Sequence, residues 1–411
     1  MARDLVDGTL ADAGLSAAGL DGVDAGLQSL IDKGELAGAV TLVARHGQIV
    51  RRSVLGLDDR DSGRELKTDT LFRIFSMTKP VTAVAMMVLH DQGLWKPQDP
   101  VSKFLPAWKN MRVFTGLDAN GEPVTVPADH DPTVGELLTH TAGITYGSTD
   151  EPLDKLYKAV NPWNSADLAE FAAKIGGLPL AYQPGSKWVY SLAMDVQGAI
   201  IEALSGQTLA DFMHQKIFAP LGMVDTGFYA PDDQKHRLAR LYRSSTTGPG
   251  LKALDRSPML GDHLSPPKVP SGGGGLVSTL DDYARFAQMI LNKGELGGVR
   301  IVSPQAIELM ATNHLSDDLI NGGYGVGNMQ IRPGFGYGFN GAVFTDPVAA
   351  GLPVGRGTYE WDGAAGTWFW VDFENDLIFV GMIQRFEISG KMTNAQQFTQ
   401  KLLADAIIAG V

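Results

Sequence analysis

Cysteine is absent from all 411 residues. That absence removes disulfides, thiol nucleophiles and thiolate metal sites together, so any side-chain nucleophile must be oxygen or nitrogen. Basic residues are in deficit: 34 Lys and Arg stand against 46 Asp and Glu, a net charge of −12. An acidic chain is poorly matched to a nucleic-acid backbone or an anionic membrane surface, and a small uncharged partner suits it better. Long apolar runs are also missing. The stretch 81–89, broken only by Thr82, falls far short of the ~20 residues that span a bilayer. Residues 1–19 carry Asp4, Asp7 and Asp12 and lack the basic start and unbroken apolar segment of a signal peptide. The chain is therefore expected to be soluble and cytoplasmic. The strict G-x-S-x-G elbow is missing too, which argues against the α/β-hydrolase architecture.

Glycine is in excess, at 49 of 411 residues, or about 12% where roughly 7% is usual. The length and the 44% hydrophobic share allow two to three domains' worth of core. In residues 21–33, Val23, Leu27, Leu30 and Ile31 recur at helical spacing. The segments 39–45 and 48–55 flank His46-Gly47, a two-residue hairpin signal. From residue 76 to about 230 the pattern becomes mainly helical, with Val81, Val84, Ala85, Val88 and Leu89 on one stripe. Strands return after residue 320: 367–372 alternates Trp368 and Trp370 against Phe369 and Val371, and 377–383 is nearly continuous in apolar residues. An amphipathic segment, 395–408, ends the chain, and 244–275 reads as its longest loop.

Strands at both ends and helices between them predict an α/β (α+β) fold, with one antiparallel sheet covered by N- and C-terminal helices and a mainly helical domain inserted. The expected boundaries are 1–75 with 270–411 for the sheet domain, and 76–269 for the helical one.

The sharpest chemical feature is Ser76-Met77-Thr78-Lys79. On a helix, positions i and i+3 share a face, so the hydroxyl and the amine would lie side by side as a nucleophile and its base require. A serine opening the helix would also sit where the dipole favours a developing anion. The following helix is apolar nearly all round, and burial of a lysine at its start would lower the pKa and yield a neutral amine. The second match to the pattern, Ser265-Pro266-Pro267-Lys268, cannot form the same turn because two prolines interrupt it. Tyr190, in Lys187-Trp188-Val189-Tyr190, is a candidate proton shuttle.

Other signals are declined. Gly336, Gly338 and Gly341 fit a dinucleotide fingerprint, but alternating aromatics surround them and Asn340-Gly341 is a hairpin signal. The run 272–275 lacks the Lys-Ser/Thr of a phosphate loop and reads as a tight turn before a helix at 281–291. His130 and His140 show no paired ligand spacing, so neither a catalytic metal nor a cofactor is expected.

Five segments in order carry a resemblance: SMTK at 76–79, LLTHTAGI at 137–144, YSL at 190–192, SGGGGLVST at 271–279 and WDGAAGTWFWVD at 361–372. The chain resembles the serine β-lactamase and penicillin-binding-protein superfamily in its class C-like branch, and within it the family VIII carboxylesterases. The resemblance implies that Ser76 is acylated, that Lys79 helps deprotonate it and that Tyr190 relays protons, and it leaves open which of the last two is the base. It implies an oxyanion hole made by the backbone N–H groups of Ser76 and Ala364. Trp361-Asp362-Gly363 stands where the family has K-T-G or H-x-G, and Leu192 where lactamases hold a substrate amide with asparagine. Losing that cation and that amide removes polar recognition and favours a neutral ester over an anionic lactam.

The implied pocket comprises Trp361, Gly363, Leu192 and Tyr146, with Trp368, Trp370 and the aromatics of 335–339 as further candidates. The expected activity is hydrolysis of small-molecule esters with short to medium acyl chains. The alternatives are a β-lactamase or D-amino-acid peptidase, an acyltransferase, and a noncatalytic ligand-binding member. No nucleic-acid or membrane partner is expected, and the sequence leaves the oligomeric state open.

Overall fold

The computed structural model describes residues 4–245, 250–257, 260–321, 333–386 and 395–407. Its principal sheet joins both ends of the chain. The strands are β1 (Val6–Asp7), β2 (Gly38–Arg45), β3 (Gln48–Asp59), β4 (Phe335–Tyr337), β5 (Ala342–Phe344), β6 (Tyr359–Asp362), β7 (Trp368–Asp372) and β8 (Leu377–Met382). Their spatial order is β1-β3-β2-β8-β7-β6-β5-β4, with Arg64–Glu65 pairing off β3. The β2/β3 hairpin turns at His46 and Gly47, whose φ values of 56° and 74° are both left-handed, as the tight turn between right-twisted strands demands. The second expected hairpin closes at Asn340-Gly341 between β4 and β5.

The alternation in β7 divides the core. Trp368 and Trp370 pack with Phe379 on one face, beneath Leu20, Val23 and Leu27 of the N-terminal helix (Ala17–Asp32) and Leu403 of the C-terminal helix (Ala395–Ala406). Residue 408 of the expected terminal helix lies outside the described residues. Phe369, Val371, Val40, Leu42 and Val380 face the other way and join a cluster continuous with residues 81–89 and with Leu137, Phe171 and Ile200. The helix Leu280–Leu291 packs on this face and starts at Thr279, whose side chain accepts from Asp282 N. One apolar core thus crosses the expected boundary near residue 76; we propose the two parts as lobes sharing it.

Two sequence expectations are refined. The region read as mainly helical also contains a hairpin, Arg112–Leu117 with Pro123–Pro127, turning through Asp118 to Gly121. The expected loop 244–275 contains the strand Leu251–Leu254, paired with Leu241–Ser244, while residues 246–249 and 258–259 lie outside the described residues. Among the described residues, no helix is long and apolar enough to cross a membrane.

Candidate active site

The chain reaches Ser76 through a strained turn. Phe75 has φ 42°, a left-handed conformation that a bulky side chain adopts only under constraint. Its ring is held by Phe386 at 5.6 Å and His263 at 6.1 Å between centroids. A 3₁₀ turn, Phe75–Met77, follows, and the α-helix Thr78–Asp91 begins after it. Ser76 therefore sits in the 3₁₀ turn before the helix instead of opening it, because Phe75 bars regular helical geometry and Met77 N bonds back to Ile74 O at 3.0 Å. Residues 78–89 are all buried, Lys79 included, while Ser76 is half-exposed.

Three residues converge on Ser76 and Lys79. Tyr190 OH donates to Ser76 Oγ at 2.7 Å. Lys79 Nζ lies 3.1 Å from Ser76 Oγ, 3.2 Å from Tyr146 OH and 2.6 Å from Gly273 O. Nζ also stands over the Tyr190 ring, 4.5 Å from its centroid. Burial pushes the Lys79 pKa down to about 7, against the pull of the Asp195 and Asp362 carboxylates. A neutral amine has two N–H groups and one lone pair. With Gly273 O and Tyr146 OH accepting the two hydrogens, the lone pair faces the Ser76 hydroxyl. Tyr190 and Tyr146 are both held protonated, chiefly because burial disfavours phenolate.

Tyr190 is aligned by aromatic packing. It lies 5.3 Å from Tyr146, 5.8 Å from Trp361 and 4.7 Å from His140, ring to ring. Tyr337 stands 5.4 Å from Trp361. His140 Nδ1 pairs with Ser191 Oγ at 3.1 Å and accepts from Ser191 N at 3.2 Å, which ties the residue after Tyr190 to the LLTHTAG segment. Burial, then the nearby Lys79 charge, pushes the His140 pKa well below its usual value, so the ring is neutral. The segment itself is anchored by a capping box at Thr133 and Glu136.

The end of β6 is fastened to the residues before Ser76. Gly363 N donates to Thr367 O at 2.7 Å and Thr367 Oγ1 to Ile74 O at 3.1 Å. A Cβ at Gly363 would collide with Ile74 O and Thr367 Oγ1, so only glycine lets the strand approach this closely. The backbone N–H groups of Ser76 and Ala364 take part in none of the turn and loop hydrogen bonds among the described residues. Gly363→Ala is expected to destabilise the fold by about 1–3 kcal/mol, read as a lowered midpoint in urea.

Trp361 and Tyr146 are partly buried beside the Ser76 group, whereas Leu192 is 1% exposed within the main core. Of the further aromatic candidates, Tyr337 stands with Trp361. Trp368 and Trp370 lie on the opposite face of the sheet, because β7 alternation turns them toward the terminal helices. Phe335 packs with Phe344, and Phe339 stacks on His314 at 4.2 Å. Sequence reasoning missed the Gly273 carbonyl as the nearest partner of Lys79 and named Tyr146 for the pocket without its contact to the amine; neither contact has a local spacing signal.

A sheet packed between terminal helices and a helical lobe, with serine, lysine and tyrosine meeting beside the end of β6, is the architecture of a serine hydrolase domain. A family model for Beta-lactamase matches residues 23–401, and the chain belongs to that family. It is 37% identical over 371 residues to Protein Rv1367c of Mycobacterium tuberculosis (strain ATCC 25618 / H37Rv), covering 89% of this chain and 90% of that one. Esterase EstB of Burkholderia gladioli is 34% identical over 377 residues, covering 87% and 88%. The solved structure of EstCE1, a hydrolase with promiscuous acyltransferase activity, superposes with a TM-score of 0.76 at 27% identity, covering 95% of this chain and 98% of that chain.

Proposed function

We propose that this ester hydrolase of the beta-lactamase family works through an acyl-enzyme on Ser76, with Lys79 as general base and Tyr190 as general acid. The observation that carries the reading is the Ser76 oxygen between the Tyr190 hydroxyl at 2.7 Å and the Lys79 amine at 3.1 Å. Ser76 Oγ attacks the ester carbonyl carbon while its proton passes to Lys79 Nζ. The carbonyl oxygen develops negative charge toward the N–H groups of Ser76 and Ala364, backbone donors of the kind that stabilise tetrahedral intermediates. The C–O bond to the alcohol breaks, and the leaving alkoxide takes the Tyr190 proton. The Lys79 ammonium then restores the phenol. Water adds to the acyl carbon, gives up a proton along the same path, and frees the acid and the serine.

The division of labour follows from the two acidities. A base with a pKa of about 7 is half free at neutral pH, whereas a phenol held above its usual range keeps its proton until an alkoxide needs it. The substrate side is apolar: Trp361 and Tyr146 flank the nucleophile, consistent with neutral esters of short to medium acyl chains. The relative named Esterase EstB supports ester hydrolysis, and EstCE1, a hydrolase with promiscuous acyltransferase activity, supports acyl transfer chemistry in general.

Turnover of p-nitrophenyl butyrate, with intact-mass detection of the acyl adduct and peptide mapping of a fluorophosphonate label, tests the proposal. The expected result is one adduct on Ser76; a label elsewhere, or nitrocefin hydrolysed faster than the ester, overturns it. Tyr190→Phe is expected to slow hydrolysis of an ethyl ester by about 10²–10⁴-fold, and of the p-nitrophenyl ester much less, because nitrophenolate departs without a proton. Equal losses on both esters would argue against Tyr190 as the acid.

A further inference from the structure

The run of four glycines at 272–275 is not absorbed by the reaction as written, nor is the buried Asp195. Resting on the reading of Ser76 and Lys79 above, we infer that Asp195 is a positioning residue that seats the Lys79 amine, acting through this glycine turn.

Asp195 lies in the first turn of the helix Ala193–Ser205, five residues after Tyr190, and is 1% exposed. A carboxylate so deeply buried needs strong hydrogen bonds. Its Oδ1 accepts from Ser271 Oγ at 2.6 Å and from Gly273 N at 3.0 Å. Gly273 is also the residue whose carbonyl receives Lys79 Nζ at 2.6 Å, the shortest contact the amine makes. One residue is therefore gripped by Asp195 through its N–H and offers its C=O to the base.

The glycine run is explained by the same contact. A Cβ at Gly273 would stand 2.9 Å from Asp195 Oδ2, and one at Gly272 would press on Met194 O. The turn lies against the start of the 193–205 helix, and it is pinned from the nucleophile side by Thr82 Oγ1, which donates to Gly272 O at 2.7 Å. The helix that carries Lys79 and the helix that follows Tyr190 thus hold the turn between them. If the Gly273 carbonyl shifted, the amine would lose the acceptor that fixes which of its bonds points away from Ser76. A misplacement of this order at a reacting group costs rate without touching substrate affinity.

Burial raises the Asp195 pKa, against the hydrogen bonds from Ser271 and Gly273 N and the nearby Lys79 charge, and in its ionised form Asp195 adds negative charge beside the amine. The groups that face Lys79 are Asp195 from the helix, Asp362 from β6, Tyr190, Tyr146 and the neutral His140. Only the two carboxylates favour the ammonium form, opposing the burial that disfavours it. Asp195→Asn keeps an oxygen for Ser271 and Gly273 and removes the charge. Gly273→Ala keeps the charge and disturbs the grip. These two variants separate the contributions.

The experiment is the pH dependence of kcat and KM for p-nitrophenyl butyrate, and of the rate of fluorophosphonate labelling, in wild type, Asp195→Asn and Gly273→Ala. In Asp195→Asn the acid limb is expected to move down by about one pH unit, a tenfold change in the ionisation constant, with KM unchanged. In Gly273→Ala kcat is expected to fall by about 10- to 100-fold at unchanged KM, with the limb in place. A merely structural Asp195 would lower the melting temperature and leave the limb where it was, and that result overturns the inference, as does a Gly273→Ala enzyme with wild-type kcat. Melting curves accompany each variant, and Gly273→Ala carries the test alone if Asp195→Asn does not fold. Failure of the label to reach Ser76 in wild type overturns the underlying reading as well, and is distinct from a labelled wild type whose limb Asp195→Asn fails to move.

Discussion

Ser76→Ala is expected to lower kcat for ester hydrolysis by about 10⁴- to 10⁶-fold, the loss measured when the nucleophile of a comparable acyl-transfer set is removed. Alanine keeps the strained turn at Phe75, the helix from Thr78 and the fastened end of β6, so the N–H donors and the aromatic walls stay in place. A residual rate above the uncatalysed one should persist from those donors and from binding. What disappears is the covalent step, so no acyl adduct should be detectable by mass spectrometry under conditions that load the wild type. Ser76 is half-buried, and among the described residues its hydroxyl bonds to Lys79, which keeps Gly273 O and Tyr146 OH, and to Tyr190, which keeps a side-chain hydrogen bond with Tyr146. The variant should therefore melt within about 0.5 kcal/mol of wild type. Activity within tenfold of wild type would exclude Ser76 as the nucleophile.

The contrast between local and distant signals decides how much of this was legible in the sequence. Ser76 and Lys79 are three residues apart, so helical spacing predicted their meeting, and the 3₁₀ turn running into the helix preserves it. The burial of residues 78–89 followed from an apolar pattern that closes all round the helix. The opposed faces of Trp368 and Phe369 followed from strand alternation. The 112–127 hairpin was readable in principle, since Asn120-Gly121 sits between alternating segments, but helical runs on either side masked it. The partners of Lys79 beyond Ser76 were not readable. Tyr146 is 67 residues away and Gly273 194 residues away, and only the folded topology brings the three loops to one point. The left-handed Phe75 was hidden for a related reason: its strain is maintained by Phe386 and His263, both remote in sequence. Tyr190 stood between, named by its resemblance to a family element and given a partner only by the fold.

Lys79→Met is expected to abolish activity and stabilise the fold, two opposite consequences of the same burial. The side chain is 0% exposed, and burial lowers its pKa from 10.5 to about 7. In the unfolded chain the amine keeps its ordinary value. Between pH 7 and 10, therefore, the unfolded state holds a proton that the folded state has released, and stability from this group rises with pH across that window. Below pH 7 both states hold the proton and the full penalty of burying the ammonium stands, on the order of 5 kcal/mol at 1.36 kcal/mol per pH unit of separation. Methionine has nearly the same length and no charge, and would escape that penalty. It would also leave Gly273 O and the Tyr146 and Ser76 hydroxyls without the amine, a cost of about 1–3 kcal/mol for a buried group left unpaired. The balance is a gain of about 2–4 kcal/mol at pH 6 that turns into a loss of about 1–3 kcal/mol by pH 10, measurable as urea midpoints at the two pH values. Over the same range kcat should fall by about 10²–10⁴-fold or more, and wild-type kcat/KM should rise with pH through a limb near 7, the free amine being the active form. A Lys79→Met protein that is less stable than wild type at pH 6 would mean that the amine is held by its three partners more strongly than burial opposes it. Lys79 would then be charged at neutral pH and unable to take the Ser76 proton.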